Sequence, residues 1–502
     1  MLSEVGVIVL CLAVLKWLKP FSFRSRLPYP PGPPSKNFLL GNLSDLPLER
    51  QWLPFTEWAR KYGGITYFRV LHKQSIVINS VEVAKELFDR RSHIYSDRAI
   101  IPMTDLMGFG FSTILMPYND EWKAHRRYFQ QAFKQEASRR YQPIQIEKVN
   151  DMLYQLLNTP DDFFNHIRHE SGAIIMSTVY GHDVKPKHDH FVDIAEEGLG
   201  NISKATFHAV NLVPILRYLP EWMPGGGFQR LIRETKALCT KMINEPFDMV
   251  KERMENGTGR SCLATELIES CTSEQDLHYV KAVCATSYIG GAETSVSSVE
   301  TFFFAMAKLP DIQKKAQEEI DRVVGFDRLP TFEDRPLMPY CEALLREVLR
   351  WRPVTPIGVP HFTMDEDVYE GYRIPKGAIA VANIWGMSRD PSKYDDAETF
   401  DPSRFFLPNG ELNDDDVHYA FGFGRRVCPG RYLASATVWL SIATVLCCFN
   451  ISKKKDSNGE EISIDTDYTG GVAIHPLPFQ CSITPRSESA KALILAAAAQ
   501  ED

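Results

Sequence analysis

The chain has 502 residues, 44% of them hydrophobic and 24% charged, which is an ordinary globular composition with enough apolar material for a large core. Its net charge of −8 gives no sign of nucleic-acid binding, so any basic patch must be local. The ten cysteines are scattered, without a CxxC pair or histidines at zinc spacing, and read as mostly buried thiols in a reducing compartment.

Val5 to Leu15 is an unbroken apolar run, VGVIVLCLAVL. A helix from Met1 to Leu18 would reach roughly 27 Å at ~1.5 Å per residue, and lysine snorkelling makes up the difference to a bilayer core. Glu4 precedes the run and Lys16, Lys19, Arg24 and Arg26 follow it. That is the reverse of a cleaved signal peptide. Residues 1–20 are therefore expected to anchor the chain, with the remainder on the cytosolic side. Residues 21–35 form a basic, proline-rich connector whose stretch LPYPPGPPS is stiff and extended.

Residues 36–486 show no second linker and no repeat, and helical patterns dominate. Strand-like runs occur at ITYFRV, at SIVINS and, late in the chain, at VAIHPLPFQCSI. The expected fold is mainly α with a minor β portion, one large helical domain. The alanine-rich tail, 487–502, reads as a frayed helix or a disordered end. Neither of the common glycine-rich phosphate loops is present, so NADPH and ATP are not expected to bind through them.

Three stretches carry chemistry. In IGGAETSVSS, Gly290 and Gly291 weaken a long apolar helix between Tyr279 and Lys308, and the Thr294 hydroxyl can bond back to a freed carbonyl. The result is a local opening in a core helix with an acid, Glu293, beside an alcohol. In REVLRWRP, Glu347 and Arg350 lie three apart on a helix and can pair. Glu57–Arg60, Glu136–Arg139 and Glu319–Arg322 share this spacing and read as solvated faces. In FGFGRRVCPG, Cys428 stands just before a helix that is apolar nearly all round and therefore buried. The helix dipole there favours a thiolate, Gly422, Gly424 and Gly430 let backbone N–H groups approach the sulfur, and Arg426 offers a planar cation for a carboxylate.

The last stretch resembles the cytochrome P-450 superfamily, whose cysteine loop is filled at all its fixed places by Phe421, Gly424, Arg426, Cys428 and Gly430. The resemblance extends along nearly the whole chain. It implies haem b with Cys428 as axial thiolate, a ligand that favours O–O cleavage. Gly290 to Ser295 matches the family's oxygen-binding pattern, implying a dioxygen groove at Gly290 and Gly291 and proton delivery through Glu293 and Thr294. Glu347, Arg350 and Arg404 correspond to the family's buried ionic triad, and Trp122, Arg126 and His361 to groups that reach the haem propionates. Lys123, Arg127, Arg425 and Arg431 would add to a basic face that docks an acidic electron donor.

The resemblance thus implies a monooxygenase on the endoplasmic reticulum membrane, single-pass and facing the cytosol. Electrons would come from NADPH through a separate reductase, and one atom of O2 would enter a small lipophilic molecule by hydroxylation or epoxidation. The apolar segments 100–115, 207–212, 354–359 and 470–473, with Ser287, are candidate pocket walls. The stretches TVWLSIATVLCCFNI and PFQCSITPR look like those of fungal microsomal members tied to secondary metabolism. Two alternatives are a haem-thiolate isomerase or dehydratase without a reductase, which needs no acid–alcohol pair, and a membrane haem sensor.

Overall fold

The computed structural model describes residues 27–206, 208–465 and 467–499. The expected anchor, residues 1–20, and the start of the connector, 21–26, lie outside the described residues, as do Phe207 among the candidate pocket walls and the last three residues of the tail. Among the described residues there are twelve helices of ten residues or more. The first six are α1 (Trp52–Tyr62), α2 (Asp120–Phe133), α3 (Gln142–Asn158), α4 (Phe163–Tyr180), α5 (His190–Thr206) and α6 (Phe228–Glu255). The others are α7 (Glu274–Gly291), α8 (Thr294–Lys308), α9 (Pro310–Val323), α10 (Pro339–Trp351), α11 (Arg431–Cys448) and α12 (Glu488–Ala498).

Helix α11 lies at the centre, against α3, α8, α9 and α10. Every position from Thr437 to Cys448 is buried, as its all-round apolar sequence requires. Its length and hydropathy would suffice to cross a membrane, but it is a core helix. Helix α8 is buried continuously from Ser295 to Ala307. No disulfide links the described cysteines, and all but Cys271 and Cys428 are buried.

A four-stranded sheet flanks the helices. Strands β1 (Ile65–Val70) and β2 (Lys73–Ile78) form an antiparallel hairpin. The other members come late in the chain: β3 (His361–Phe362), which is antiparallel to β6 (Ile379–Ala382), and β6 itself, which is parallel to β2. Two further hairpins are β4 (Asp367–Tyr369) with β5 (Tyr372–Ile374), and β7 (Phe449–Lys453) with β8 (Cys481–Pro485). The stretch ITYFRV is β1 itself, and SIVINS enters β2. The late stretch differs. Its strand begins only at Cys481, and residues 470–480 form a loop, because Pro476 and Pro478 supply no ladder N–H.

The proline connector is extended but docked from residue 28 onward: Tyr29 stacks on Tyr67 at 4.5 Å, the Arg373 N–H donates to Pro28 O at 2.7 Å, and the Tyr67 N–H donates to Pro31 O at 3.0 Å. Two other expectations, those for the tail and for Glu319, are corrected. The tail is neither frayed nor disordered across its described residues. Ser487 caps α12, which buries Ala490 and Ile494 and packs along α3. Glu319, expected on a solvated face, is buried and accepts the Tyr340 and Cys341 N–H groups at 2.9 Å each, which caps α10.

Glu347, Arg350 and Arg404 form one cluster. Glu347 takes Arg350 in a fork, at 2.6 Å from Nε and 2.8 Å from Nη2, and Arg404 Nε lies 3.3 Å away. Glu347 and Arg350 are fully buried. The remaining guanidinium N–H groups of Arg350 donate to the carbonyls of Ser388, Ala397 and Thr399, so the cluster pins the loop that leads to the cysteine. That loop is seated on the widened turn at Lys85–Arg90. Gly424 has φ +56°, and a Cβ there would stand 2.0 Å from Phe88 O.

Replacing Glu347 with Ala leaves a buried guanidinium unpaired and should cost about 3–5 kcal/mol in urea unfolding. Gly424→Ala should cost at least about 2 kcal/mol from the positive φ and the collision with Phe88 O, with earlier loss of haem on heating.

Candidate active site

Helix α7 ends at Gly291 and α8 restarts at Thr294. Across the interruption the Thr294 hydroxyl donates to Gly290 O at 2.9 Å, and Ser171 donates to Gly291 O at 3.3 Å. Gly291 lies flush against α4, where a Cβ would come within 2.9 Å of Ile175. Gly290 faces Ile114 instead, at an ordinary contact distance of 3.7 Å. Glu293 is half-exposed, with its Oε1 3.4 Å from His475 Nε2. That contact and the charge on His475 hold its carboxyl below the ordinary range, although burial opposes them.

Cys428 closes its own loop: its N–H donates to Phe421 O at 2.8 Å. The N–H groups of Gly430 and Arg431 point at the sulfur, and the charges of Arg126 and Arg431 act on it. These groups favour the thiolate, as expected from the sequence, and burial opposes them. Burial is the larger effect and raises the thiol above its ordinary value. A thiolate here needs a cation at the sulfur itself, which a bound iron would provide.

Three guanidiniums gather next to this loop. Arg426 lies 4.3 Å from the Trp122 ring centre and Arg126 lies 5.8 Å from it. Arg126 donates to Val427 O at 3.0 Å. Arg426 donates to Ser96 O at 2.7 Å, and its Nη2 is buried without a partner. Arg98 is buried and donates to Ile114, Val359 and Pro360 carbonyls. Among the described residues none of the three forms an ion pair, although Asp97 lies near enough to act on Arg98 and Arg426. Burial presses all three below the ordinary arginine value, Arg426 to about 9, and a neighbouring guanidinium adds to it in each case: Arg426 on Arg98, Arg126 on Arg426 and Arg431 on Arg126. A guanidinium does not give up its proton in a protein, so these shifts measure the cost of holding cations there without an anion. The cluster fits a group with two carboxylates, as haem has.

His361 packs against Phe88 with ring centres 4.2 Å apart and planes tilted by 31°, and donates Nδ1–H to Tyr95 O at 2.7 Å. Burial, then Arg98 and Arg426, keep it neutral. Its Nε2 therefore presents a lone pair, and it would need a second proton to donate to a propionate. Arg98 is the donor that sequence reasoning missed, because a single arginine in YSDRAI has no spacing signal. His475 and Glu300 were also missed. A lone histidine in an apolar run reads first as a packed core residue.

The short segment 112–116 joins the helix opening to the cations. The Thr113 N–H donates to Thr286 Oγ1 on α7 at 3.2 Å, while Thr113 O accepts from Arg426 at 3.4 Å. The candidate pocket walls also meet. Met103 N–H donates to Asn211 Oδ1 at 3.0 Å, and Ile474, the residue after the segment 470–473, donates its N–H to Val354 O at 2.9 Å.

The sequence profile of the cytochrome P-450 family matches residues 30–483. The chain is 38% identical to cytochrome P-450 monooxygenase 98 of Postia placenta, over 94% of this chain and 93% of that one. It is 38% identical to a cytochrome P-450 monooxygenase of Armillaria gallica, over 98% and 99% of the two chains. A third relative, cytochrome P-450 monooxygenase COX1 of Coprinopsis cinerea, is 38% identical over 93% of each chain. A cysteine loop leading into a buried helix, an interrupted core helix and an anion-seeking arginine cluster thus coincide with a match over most of the chain, and the protein belongs to the cytochrome P-450 family, whose members are haem-thiolate monooxygenases.

Proposed function

We propose that Cys428 is the axial ligand of haem b and that Arg98, Arg126 and Arg426 hold its propionates around Trp122. The observation that carries this reading is the arginine cluster, without a carboxylate partner among the described residues, next to a lone thiol. Phe421, Gly424 and Gly430 shape the loop around the sulfur. His361 would join the propionate donors only on taking up a proton, which an adjacent carboxylate favours. The ionic triad of Glu347, Arg350 and Arg404 retains haem indirectly, by fixing the approach to the loop.

Bound there, haem b would supply the centre at which O2 is reduced by two electrons and split. The protein's part is to orient, to exclude water and to move protons. Gly290 leaves room beside the opening, Thr294 holds a proton at Oγ1, and Glu293, half-exposed, replaces it from solvent. An intact acid–alcohol pair favours oxygen insertion over isomerisation or dehydration. The substrate is read as a small lipophilic molecule of fungal secondary metabolism, hydroxylated or epoxidised, because the facing segments are largely apolar.

NADPH would deliver electrons through a separate reductase docked on the face where Lys123, Arg127 and Arg425 are exposed. A single-pass anchor in the endoplasmic reticulum, residues 1–20, agrees with an apolar patch on the body. Phe38, Leu39 and Leu48 are exposed beside the β1–β2 turn, and Ile215, Tyr218 and Trp222 are exposed on a segment tied to that turn by Lys73 Nζ donating to Asn211 O at 2.7 Å. Trp222 is 83% exposed, an arrangement suited to an interface between water and lipid.

Two measurements test this. The dithionite-reduced carbon monoxide difference spectrum should show the red-shifted Soret band of thiolate-bound haem, and Cys428→Ala should abolish it; a histidine-type band would overturn the ligand assignment. With the full chain carrying Trp17→Phe in its anchor, in vesicles of brominated phosphatidylcholine, tryptophan emission should be quenched, and adding Trp222→Phe should remove much of that quenching.

A further inference from the structure

The loop 468–476 is fastened along one stripe of α8. Glu293, Ser297, Glu300, Thr301 and Phe304 recur at helical spacing. Ser297 Oγ donates to Ile474 O at 2.5 Å, Tyr468 OH donates to Thr301 Oγ1 at 3.2 Å, and Phe304 meets the Tyr468 ring edge-on at 5.9 Å. In the middle of the stripe the buried His475 lies between two carboxylates, hydrogen-bonded to Glu300 and in charge contact with Glu293. Its Nδ1 is 2.8 Å from the fully buried Glu300, and its Nε2 is 3.4 Å from Glu293. Arg168 Nε on α4 reaches Glu300 from the other side at 3.7 Å.

We propose that His475 is a positioning residue for the reaction: clamped by Glu300, it holds the Glu293 carboxylate beside the helix opening, so that the proton at Thr294 is replaced efficiently only while His475 is in place. The proposal rests on the reading that Glu293 and Thr294 relay protons. His475 itself donates nothing to the reaction. Glu293 takes a proton from water and passes it on, returning to the carboxylate.

Geometry supports the division of labour. The short contact goes to Glu300, which is fully buried and fixed, and the longer contact goes to the half-exposed acid, which is free to turn. Charge agrees. Burial alone would lower the imidazole, yet the two carboxylates outweigh it and raise His475 to about 9. Arg168 and the imidazolium then balance Glu293 and Glu300. Glu196, raised by burial, and Tyr468 are the other titratable groups that act on the cluster. Because the folded value lies above the ordinary 6.5, this contribution to stability is fully present below about pH 6.5 and is lost as pH rises through about 9.

The test pairs a titration with a double-mutant cycle. Full-length holoprotein labelled with 13C at histidine Cε1 is titrated as the diamagnetic ferrous carbonyl. One resonance, absent in His475→Gln, should remain that of an imidazolium beyond pH 8 and should lose its proton at lower pH in Glu300→Gln. A neutral His475 at pH 7 overturns the proposal. NADPH consumption with the reductase, without added substrate, is then compared across Glu293→Gln, His475→Gln and the double variant. Each single change should slow it by on the order of 10–100-fold, the scale on which misplacing a reacting group is felt. The double variant should be no slower than Glu293→Gln, and His475→Lys, which keeps a cation, should recover part of the rate. If Glu293→Gln is slow but His475→Gln is not, or if the two factors multiply, His475 has only a packing role. If Glu293→Gln itself runs at the wild-type rate, the relay reading fails, whatever the titration shows. Should His475→Gln not retain haem, Glu300→Gln takes its place in the cycle with the same expected outcome.

Discussion

Three neighbouring guanidiniums, two of them against one indole, with no carboxylate paired to them among the described residues, form the constraint on which the site depends. Burying a cation without an anion is unfavourable by several kcal/mol, on the order found for isolated buried charges. The fold nevertheless brings Arg98 from the region after β2, Arg126 from α2 and Arg426 from the cysteine loop to the same place. Packing elsewhere holds this arrangement, and a dianionic cofactor bound there would relieve it. Binding and folding are therefore linked. The triad of Glu347, Arg350 and Arg404 is the contrasting case, because there the anion is built into the chain and the cluster is complete without a ligand.

The two central helices divide the chemistry between them. Helix α11 presents its first N–H groups to Cys428 and is otherwise packed on all sides. Helix α8 is equally buried, yet its first residues follow a break where a hydroxyl takes over a backbone carbonyl. Rigidity at the sulfur and a local opening at the acid are both consequences of where glycines fall. Gly424 permits a close backbone approach, whereas Gly290 and Gly291 interrupt a helix that would otherwise run on.

What could be read from the sequence was what is local. The strand ITYFRV, the interruption at Gly290, the i,i+3 pairing of Glu347 with Arg350 and the buried helix after Cys428 are all decided by neighbours within a few residues, so periodicity and turn chemistry reach them. The desolvation of the thiol was not legible because it depends on the whole surrounding fold, not on the N–H groups next door. Arg98 and His475 were invisible for the same reason: each acquires its partners from segments far away in sequence. The docked tail and the buried Glu319 went the same way, since an alanine-rich end and an exposed-looking charge pair show no pattern until α3 and α10 lie against them.

The mixed sheet has a consequence for the order of assembly. Strand β2 pairs in parallel with β6, roughly 300 residues later. During synthesis the β1–β2 hairpin therefore emerges with one edge unpaired, and it keeps that edge until about three quarters of the chain has left the ribosome. An edge of Ser75, Ile76, Val77 and Ile78 is apolar enough to recruit a wrong partner in that interval. Chaperone demand for this protein should thus be set by its amino-terminal hairpin rather than by its large helical core.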